Sequence, residues 1–294
     1  MSRIVVAGSS GLVGKSLVRS LERSGHEVLR LVRRAPASAS EIPWDPRTRW
    51  LPVDALAGCD AVVNLAGESI SKRWTKSVRD AIVASRIQAT SLLAQDCVRL
   101  GVPTMVSASA VGIYGDRGDE ILDEASPSGG GFLAETCLDW EHALHPARLA
   151  GVRTVSCRFG VVLSRRGGAL PKMLLPFRLG LGGALGTGRQ WMPWIHEADA
   201  VGVIEHALAD GVHGPLVSVA PEPVRQGDFA AALARCLHRP ALLPTPAWAL
   251  RLAMGEMADE LLLASQRCRP TGLIASGFGW RYPLLESALA DLFP

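Results

Sequence analysis

Hydrophobic positions alternate between two kinds of segment along the first part of the chain. Short, nearly continuous apolar runs occur at 3–7, 26–33, 61–67, 102–109 and 151–163. Between them lie longer stretches of helical period at 15–24, 75–100 and 132–150, the second with Ile82, Ile87, Leu92, Leu93 and Val98 inward. Apolar runs of this length read as strands covered on both faces. Strand, helix and strand within the first 33 residues form a βαβ unit, and a parallel sheet follows from it. The pattern predicts α/β architecture: a doubly wound parallel Rossmann sheet over 1–165. Residues 35–56 read as a proline-rich loop with a short edge strand at Trp44-Asp45.

From Ser164 the texture changes. A linker signal at 164–168 precedes a helix at 170–179 and a glycine-rich stretch to residue 188, expected to be mobile. Two Trp and a His follow at 190–199, with Asp199 as the expected N-cap of a helix over 200–209. A strand at 216–219, an amphipathic stretch at 228–237 and an extended one at 240–246 come next. A helical pattern at 248–265 is interrupted near Gly255, and a last helix covers 284–292. A smaller α/β substrate domain is expected over 166–294, with the strand at 216–219 free to return to the first sheet.

Composition narrows the class. The chain has 294 residues, 48% hydrophobic and 20% charged, which is ordinary for a globular protein and enough for one large or two modest domains. A net charge of +3 is too slight to argue for nucleic acid or an anionic membrane as partner. The six cysteines show no C-x-x-C pair and no adjacent His cluster, so no metal site or disulfide framework is expected. Reduced thiols in a cytoplasmic protein are the plain reading. Neither a signal peptide nor a membrane-spanning apolar stretch is evident.

The candidate chemistry starts at the end of the first apolar run, in Gly8-Ser9-Ser10-Gly11-Leu12-Val13-Gly14. A glycine turn between strand and helix lets a backbone approach a pyrophosphate and aims the helix N-terminus at its charge. Gly8 would allow the turn, Gly11 the close approach and Gly14 the packing of helix on strand. The spacing is G-x-x-G-x-x-G, and a purely structural turn is the competing reading. At the end of the second strand, where NAD binders carry an acidic residue, stand Arg33 and Arg34. An Arg pair suits a ribose 2′-phosphate, the alternative being a solvated basic strand end. Ala66 and Gly67 end the strand at 61–67 in small residues that would let a cofactor lie close. Serines, including Ser107 and Ser109, end the strand at 102–109.

Taken together, the GSSGLVG turn, the NLAG strand end, SASAVGIYGD, RFGVVLS and WIHEAD resemble the extended branch of the short-chain dehydrogenase/reductase superfamily. More narrowly the chain is similar to its atypical "epimerase family protein" subgroup, also called nucleoside-diphosphate-sugar epimerase-like. The shared motifs are Leu65–Glu68 with Arg73-Trp74, Ser85-Arg86-Ile87 with Thr90, Ser109 to Gly115, and the C-terminal VAPEPV, HRPALLPTPAWALRL, GEMA and GFGWRYP. The resemblance covers essentially the whole chain. It implies a Rossmann domain that binds NADP(H) and a C-terminal domain that closes over a small-molecule substrate. Carried over by position, Gly8, Ser9, Ser10, Gly11, Leu12, Val13 and Gly14 would form the pyrophosphate turn. Arg33 and Arg34 would meet the 2′-phosphate, Leu65, Ala66 and Gly67 would pack near the adenosine, and Arg86 and Ser107 would complete the cofactor site. Ser109 falls where the superfamily keeps its catalytic Ser.

The departure lies on the next helix. Active members carry Tyr-x-x-x-Lys there, with a Glu four residues beyond. Aligning Glu141 with that Glu puts Leu133 and Cys137 at the pair, and a one-residue slip puts Phe132 and Thr136 there. Neither restores it. Tyr114 and His196 are the remaining candidate acid–base groups beside Ser109. Glu68, Arg158 and Trp191 are candidate substrate contacts, with 179–188 and its following Trp residues as a candidate lid. The expectation is an NADP(H)-dependent oxidoreductase or epimerase-like enzyme of non-standard mechanism. The alternative is a catalytically silent NADP(H) binder that senses redox state or engages a partner; a homodimer stays open.

Overall fold

The computed structural model describes residues 1–241 and 243–294. The extended reading at 240–246 includes residue 242, which lies outside the described residues. Strands β1 (Arg3–Ala7), β2 (Glu27–Val32), β3 (Glu41–Pro43), β4 (Ala61–Asn64) and β5 (Thr104–Ala110) form most of a seven-stranded parallel sheet. Its order is Gly214–Ser218, Arg153–Phe159, β5, β4, β1, β2, β3. The strand order reverses at β1, so β2 and β4 both flank it in register, Ala7 opposite Leu31 on one side and Asn64 on the other. Crevices for ligands open at the carboxyl ends of strands where the order reverses.

Helices α1 (Leu12–Arg23) and α2 (Lys76–Leu100) cross over between parallel strands. The Thr75 hydroxyl caps α2 by accepting from the Val78 amide at 3.3 Å, and Gly101 ends it in the left-handed region at φ 68°. One core joins Val5, Ala7, Leu29, Leu31, Val62 and Met105 of the sheet to Ala89, Leu92, Leu93 and Cys97 of α2. The edge strand is Glu41–Pro43 rather than Trp44-Asp45. Trp44 is buried, and its amide still donates to the Val32 carbonyl at 3.0 Å. The expected helix over 132–150 is two helices, α3 (Phe132–His142) and α4 (His145–Leu149), because Pro146 lacks the amide that would continue the first.

The chain divides into two compact units that interleave instead of meeting at residue 165. One comprises Met1–Ser109, Thr136–Cys157 and Val201–Pro215; the other comprises Ala110–Glu135, Arg158–Ala200 and Leu216–Pro294. The second unit has its own core, built from Leu163, Leu170, Phe177 and Trp194 with Phe229, Leu233, Ala288 and Leu289. The helix Glu197–Leu208 starts before Asp199, so Asp199 is no N-cap. Its carboxylate instead accepts the Arg281 and Tyr282 amides at 2.7 and 2.9 Å and pins the GFGWRYP segment. Among the described residues no helix is long and apolar enough to cross a membrane.

Candidate functional site

A groove of about 1050 Å³ opens at the carboxyl ends of β1, β2 and β4 in the first unit. Gly8, Ser9, Ser10 and Gly11 form one wall, Arg33 and Arg34 another, and Leu65, Ala66, Gly67 and Glu68 a third. The glycines are there for geometric reasons. Gly8 sits at φ 77°, and a Cβ on it would lie 2.6 Å from the Leu65 carbonyl carbon and oxygen. A Cβ on Gly14 would lie 2.2 Å from the Gly8 carbonyl oxygen, so only glycine lets α1 begin directly against the turn. Gly11 is the N-cap of α1. No side chain caps this helix and its first turn holds no acidic residue, which leaves its first amides for an anionic ligand. Leu12, Val13 and Gly14 begin the helix behind the turn and do not line the groove.

A buried hydrogen-bond network holds the third wall. The Thr90 hydroxyl accepts from Asn64 Nδ2 at 2.8 Å and from Trp140 Nε1 at 2.9 Å, while Asn64 Oδ1 accepts the Ala66 amide at 3.1 Å. This ties the end of β4 to α2 and α3. Arg86 works from behind. Its Nη1 donates to the Glu68 and Ile82 carbonyls at 3.1 and 3.0 Å, and its guanidinium stacks 5.1 Å from the Trp140 ring. Burial pulls the Arg86 pKa down. A Cβ on Gly67 would lie 3.3 Å from that guanidinium, so Arg86 backs the wall and does not face the groove. Ser107, buried at the centre of β5, donates to the Ala108 carbonyl and also stays out of the groove.

The two arginines after β2 differ. Arg34 gives both Nη atoms to Glu41 at 2.8 Å, a bidentate pair with a buried carboxylate that also accepts the Ala37 amide. Its fork is therefore occupied, whereas the expectation had Arg34 helping Arg33 at the phosphate. Arg33 is exposed and makes no hydrogen bond or ion pair among the described residues. The groove also exposes Lys15 and Arg47, which the sequence reading passed over: Lys15 lies in the expected helix and Arg47 in a loop without a motif. Glu68 is bonded to Lys72 at 2.8 Å, which holds its carboxyl below the ordinary range, and the charges of Arg33 and Arg47 act the same way.

The candidate acid–base groups separate. The Ser109 hydroxyl, at the end of β5, donates to Glu141 Oε1 at 2.7 Å. Glu141 entered the sequence reading only as an alignment anchor. Tyr114 is fully buried; its hydroxyl donates to the Asp123 carbonyl at 2.7 Å and accepts from Arg158 Nη1 at 2.9 Å. Burial pushes its pKa further up, and its hydroxyl is engaged on both its donor and acceptor sides. Arg158 is buried against the same ring, which corrects its expected role as an open substrate contact. His196 is buried, stacks 4.0 Å from Tyr282 and accepts the Ala198 amide on Nδ1, which places its proton on Nε2, 3.3 Å from Asp291. Burial lowers its pKa. Its Nε2 is buried without a hydrogen-bond partner among the described residues. Phe132, Leu133, Thr136 and Cys137, the four positions that the Tyr-Lys pair would occupy, are all buried and none supplies the pair.

Two guanidinium groups lie over the Trp191 ring, Arg225 at 4.3 Å and Arg267 at 4.7 Å from its centroid, and its Nε1 donates to Asp119 at 2.7 Å. That corrects its reading as an open substrate contact. The glycine-rich stretch before it is no free lid either. Gln226 Oε1 accepts the Leu185 amide at 2.7 Å, and residues 184 and 186 pair with the Thr245 backbone. Trp194 lies in the core of the second unit.

Comparison with known proteins follows the same lines. The model of the NAD dependent epimerase/dehydratase family matches residues 4–220, and a domain of unknown function (DUF1731) matches 245–292. The epimerase family protein Mb2239 of Mycobacterium bovis is 43% identical over 97% of this chain and 96% of its own length. The crystal structure of human epimerase family protein SDR39U1 (isoform2) with NADPH superposes with a TM-score of 0.89 at 35% identity, over 99% of this chain and 98% of that one. MoeE5, solved with UDP-glucuronic acid and NAD, shares the fold at a TM-score of 0.78 and 21% identity, over 99% of this chain and 97% of that one. The groove at the β1 turn, the seven-stranded sheet and these likenesses agree: the chain belongs to the NAD dependent epimerase/dehydratase family.

Proposed function

We propose that this protein binds NADP(H) in the groove at the β1 turn and is an oxidoreductase or epimerase-like enzyme acting on a small polar substrate without a Tyr-Lys pair. The carrying observation is the groove itself: an uncapped helix N-terminus behind a glycine turn, with the unpaired Arg33 where a carboxylate would select NAD. The NADPH held by the human relative supports the same choice. The residues fit such a group, since a Cβ at Gly8 or Gly14 would collide with backbone on the wall that receives it.

The cofactor supplies hydride transfer. The chain supplies binding and proton handling. The backbone of Gly8, Ser9, Ser10 and Gly11 at the uncapped start of α1 would meet the pyrophosphate and Arg33 the 2′-phosphate, while Arg34 is held by Glu41. With the Tyr114 hydroxyl engaged by Asp123 and Arg158, Ser109, itself buried and outside the groove lining, and Glu141 form the candidate acid–base pair. A hydroxyl that donates to a carboxylate at 2.7 Å passes a substrate proton along that bond. A reducing cytoplasmic setting belongs to this reading, since all six cysteines are free. The second reading is a silent NADP(H) binder, favoured by the burial of all four positions where the missing pair would stand.

A nicotinamide-fluorescence titration with NADPH and NADH tests the shared part, and absent or equal binding of the two overturns it. Turnover across a panel of carbonyl compounds and nucleotide sugars separates the readings. Activity abolished by Ser109→Ala and by Glu141→Gln, with NADPH affinity kept, supports the enzyme. No turnover by the intact protein on any substrate that binds favours the silent binder.

A further inference from the structure

The groove carries a cation whose placement is as deliberate as that of Arg33. Arg47 lies on a tight turn between Asp45 and Trp50, closed by two backbone hydrogen bonds of 2.9 Å. Within it, Asp45 Oδ1 accepts the Arg47 amide at 3.0 Å and the Asp45 carbonyl accepts the Thr48 hydroxyl. The base of the turn is fixed to β2, because the buried Trp44 donates its amide to Val32, the residue just before Arg33. Its far side is clamped to α2, where Arg49 Nη2 donates to Gln95 Oε1 at 2.8 Å. So much bonding holds the turn, yet the Arg47 side chain makes no hydrogen bond or ion pair among the described residues.

The other groove cations on this side have partners. Arg34 is held by Glu41, and Arg30 is held by Ser38 and Ser40 with Glu41 at 3.8 Å. Lys15 and Arg19 of α1 also line the groove with side chains that make no hydrogen bond or ion pair among the described residues, but at the β2 end Arg33 and Arg47 are the two open guanidinium groups, on neighbouring pieces of backbone, and both lower the pKa of the Glu68 carboxyl. The Glu68 carboxylate is already bonded to Lys72, so gathering two further like charges beside it is unfavourable unless another anion joins them. A phosphate monoester dianion accepts from two guanidinium forks at once.

We propose that Arg47 is a second reader of the cofactor's 2′-phosphate and that selection of NADP(H) over NAD(H) is divided between Arg33 and Arg47. The inference rests on the NADP(H) reading above. The turn is a preformed arm of the groove, and its bonding to β2 and α2 keeps the second guanidinium in place before the cofactor arrives, which limits the ordering that binding requires.

The test measures dissociation constants for NADPH and NADH by nicotinamide fluorescence in the intact protein, Arg47→Gln, Arg33→Gln and the double variant. Urea midpoints check that each is folded. Competition by adenosine 2′,5′-bisphosphate and by 5′-AMP isolates the phosphate from the rest of the cofactor. Arg47→Gln is expected to weaken NADPH and the bisphosphate by about 10-fold or more while leaving NADH and 5′-AMP within about twofold. The double variant is expected to lose the preference altogether. An intact protein that prefers NADPH, with an Arg47→Gln variant that keeps the full preference or loses both cofactors equally, overturns this inference alone. An intact protein without preference overturns the NADP(H) reading as well.

Discussion

Gly8→Ala should damage this protein far more than Gly25→Ala, although both glycines have nearly the same backbone. Their φ angles are 77° and 80°, so each alanine faces the same left-handed strain, about 1 kcal/mol. Around Gly25 nothing lies within 4 Å of the added Cβ, and strain is the whole effect. At Gly8 the Cβ would stand 2.6 Å from the Leu65 carbonyl and 2.8 Å from the Ala66 amide nitrogen. Both are backbone atoms on a wall that Asn64 and Thr90 hold in place, so relief requires moving the end of β4. Displacement of packed structure adds about 1–3 kcal/mol, for a total of about 2–4 kcal/mol. Urea denaturation followed by far-ultraviolet circular dichroism reads the difference between the variants, with strain common to both. NADPH titration reads the second effect: Gly8→Ala should lose affinity as the wall shifts, and Gly25→Ala should keep it. Equal destabilisation by the two substitutions would refute the claim that the turn is locked against β4.

Other outcomes can be checked directly. Arg33→Asp should weaken NADPH by about 1.5–3 kcal/mol, roughly 10- to 100-fold, and NADH much less; equal losses in parallel titrations would remove Arg33 from the phosphate site. Thr90→Val leaves the Asn64 and Trp140 donors buried without an acceptor, a loss of about 2–5 kcal/mol that a urea melt would register. His196 has a folded pKa below its unfolded one, so its contribution is present above the unfolded value near 6.5 and declines as pH falls toward the folded one. Stability of the intact protein should therefore fall with acidification below about pH 6.5, and His196→Gln should flatten that slope in urea midpoints measured across the range. An unchanged slope would mean that other groups set it.

The strands of the central sheet other than the edge strand Glu41–Pro43 were legible because each is a short apolar run closed by a polar or glycine turn. The glycine turn was legible because backbone close to backbone excludes other residues at defined spacing. What patterning missed depends on partners distant in sequence. Arg33 and Arg34 look equivalent until Glu41 folds back and occupies one of them. Tyr114 resembles an acid–base group until Asp123 and Arg158 take up its hydroxyl, and Trp191 resembles an open platform until Arg225 and Arg267 stack on it. Glu141 was passed over as a chemical group because its contact with Ser109 joins a strand to a helix more than a domain's loop away. Arg47 sits in a turn that neither glycine spacing nor apolar period marks, so only the bonds around it single it out.

The interleaving of the two compact units sets the order in which the molecule can be made. A ribosome releases β1 to β5 early, yet Arg153–Phe159, which covers the outer edge of β5, and Gly214–Ser218, which covers Arg153–Phe159 in turn, emerge only after segments of the other unit. Until then the β5 edge offers unpaired amides and carbonyls to any neighbouring chain. No single cut in the gene yields either unit whole, so fragment complementation at residue 165 should give sticky halves, and recombination between homologous genes should succeed only with crossovers outside these shared segments.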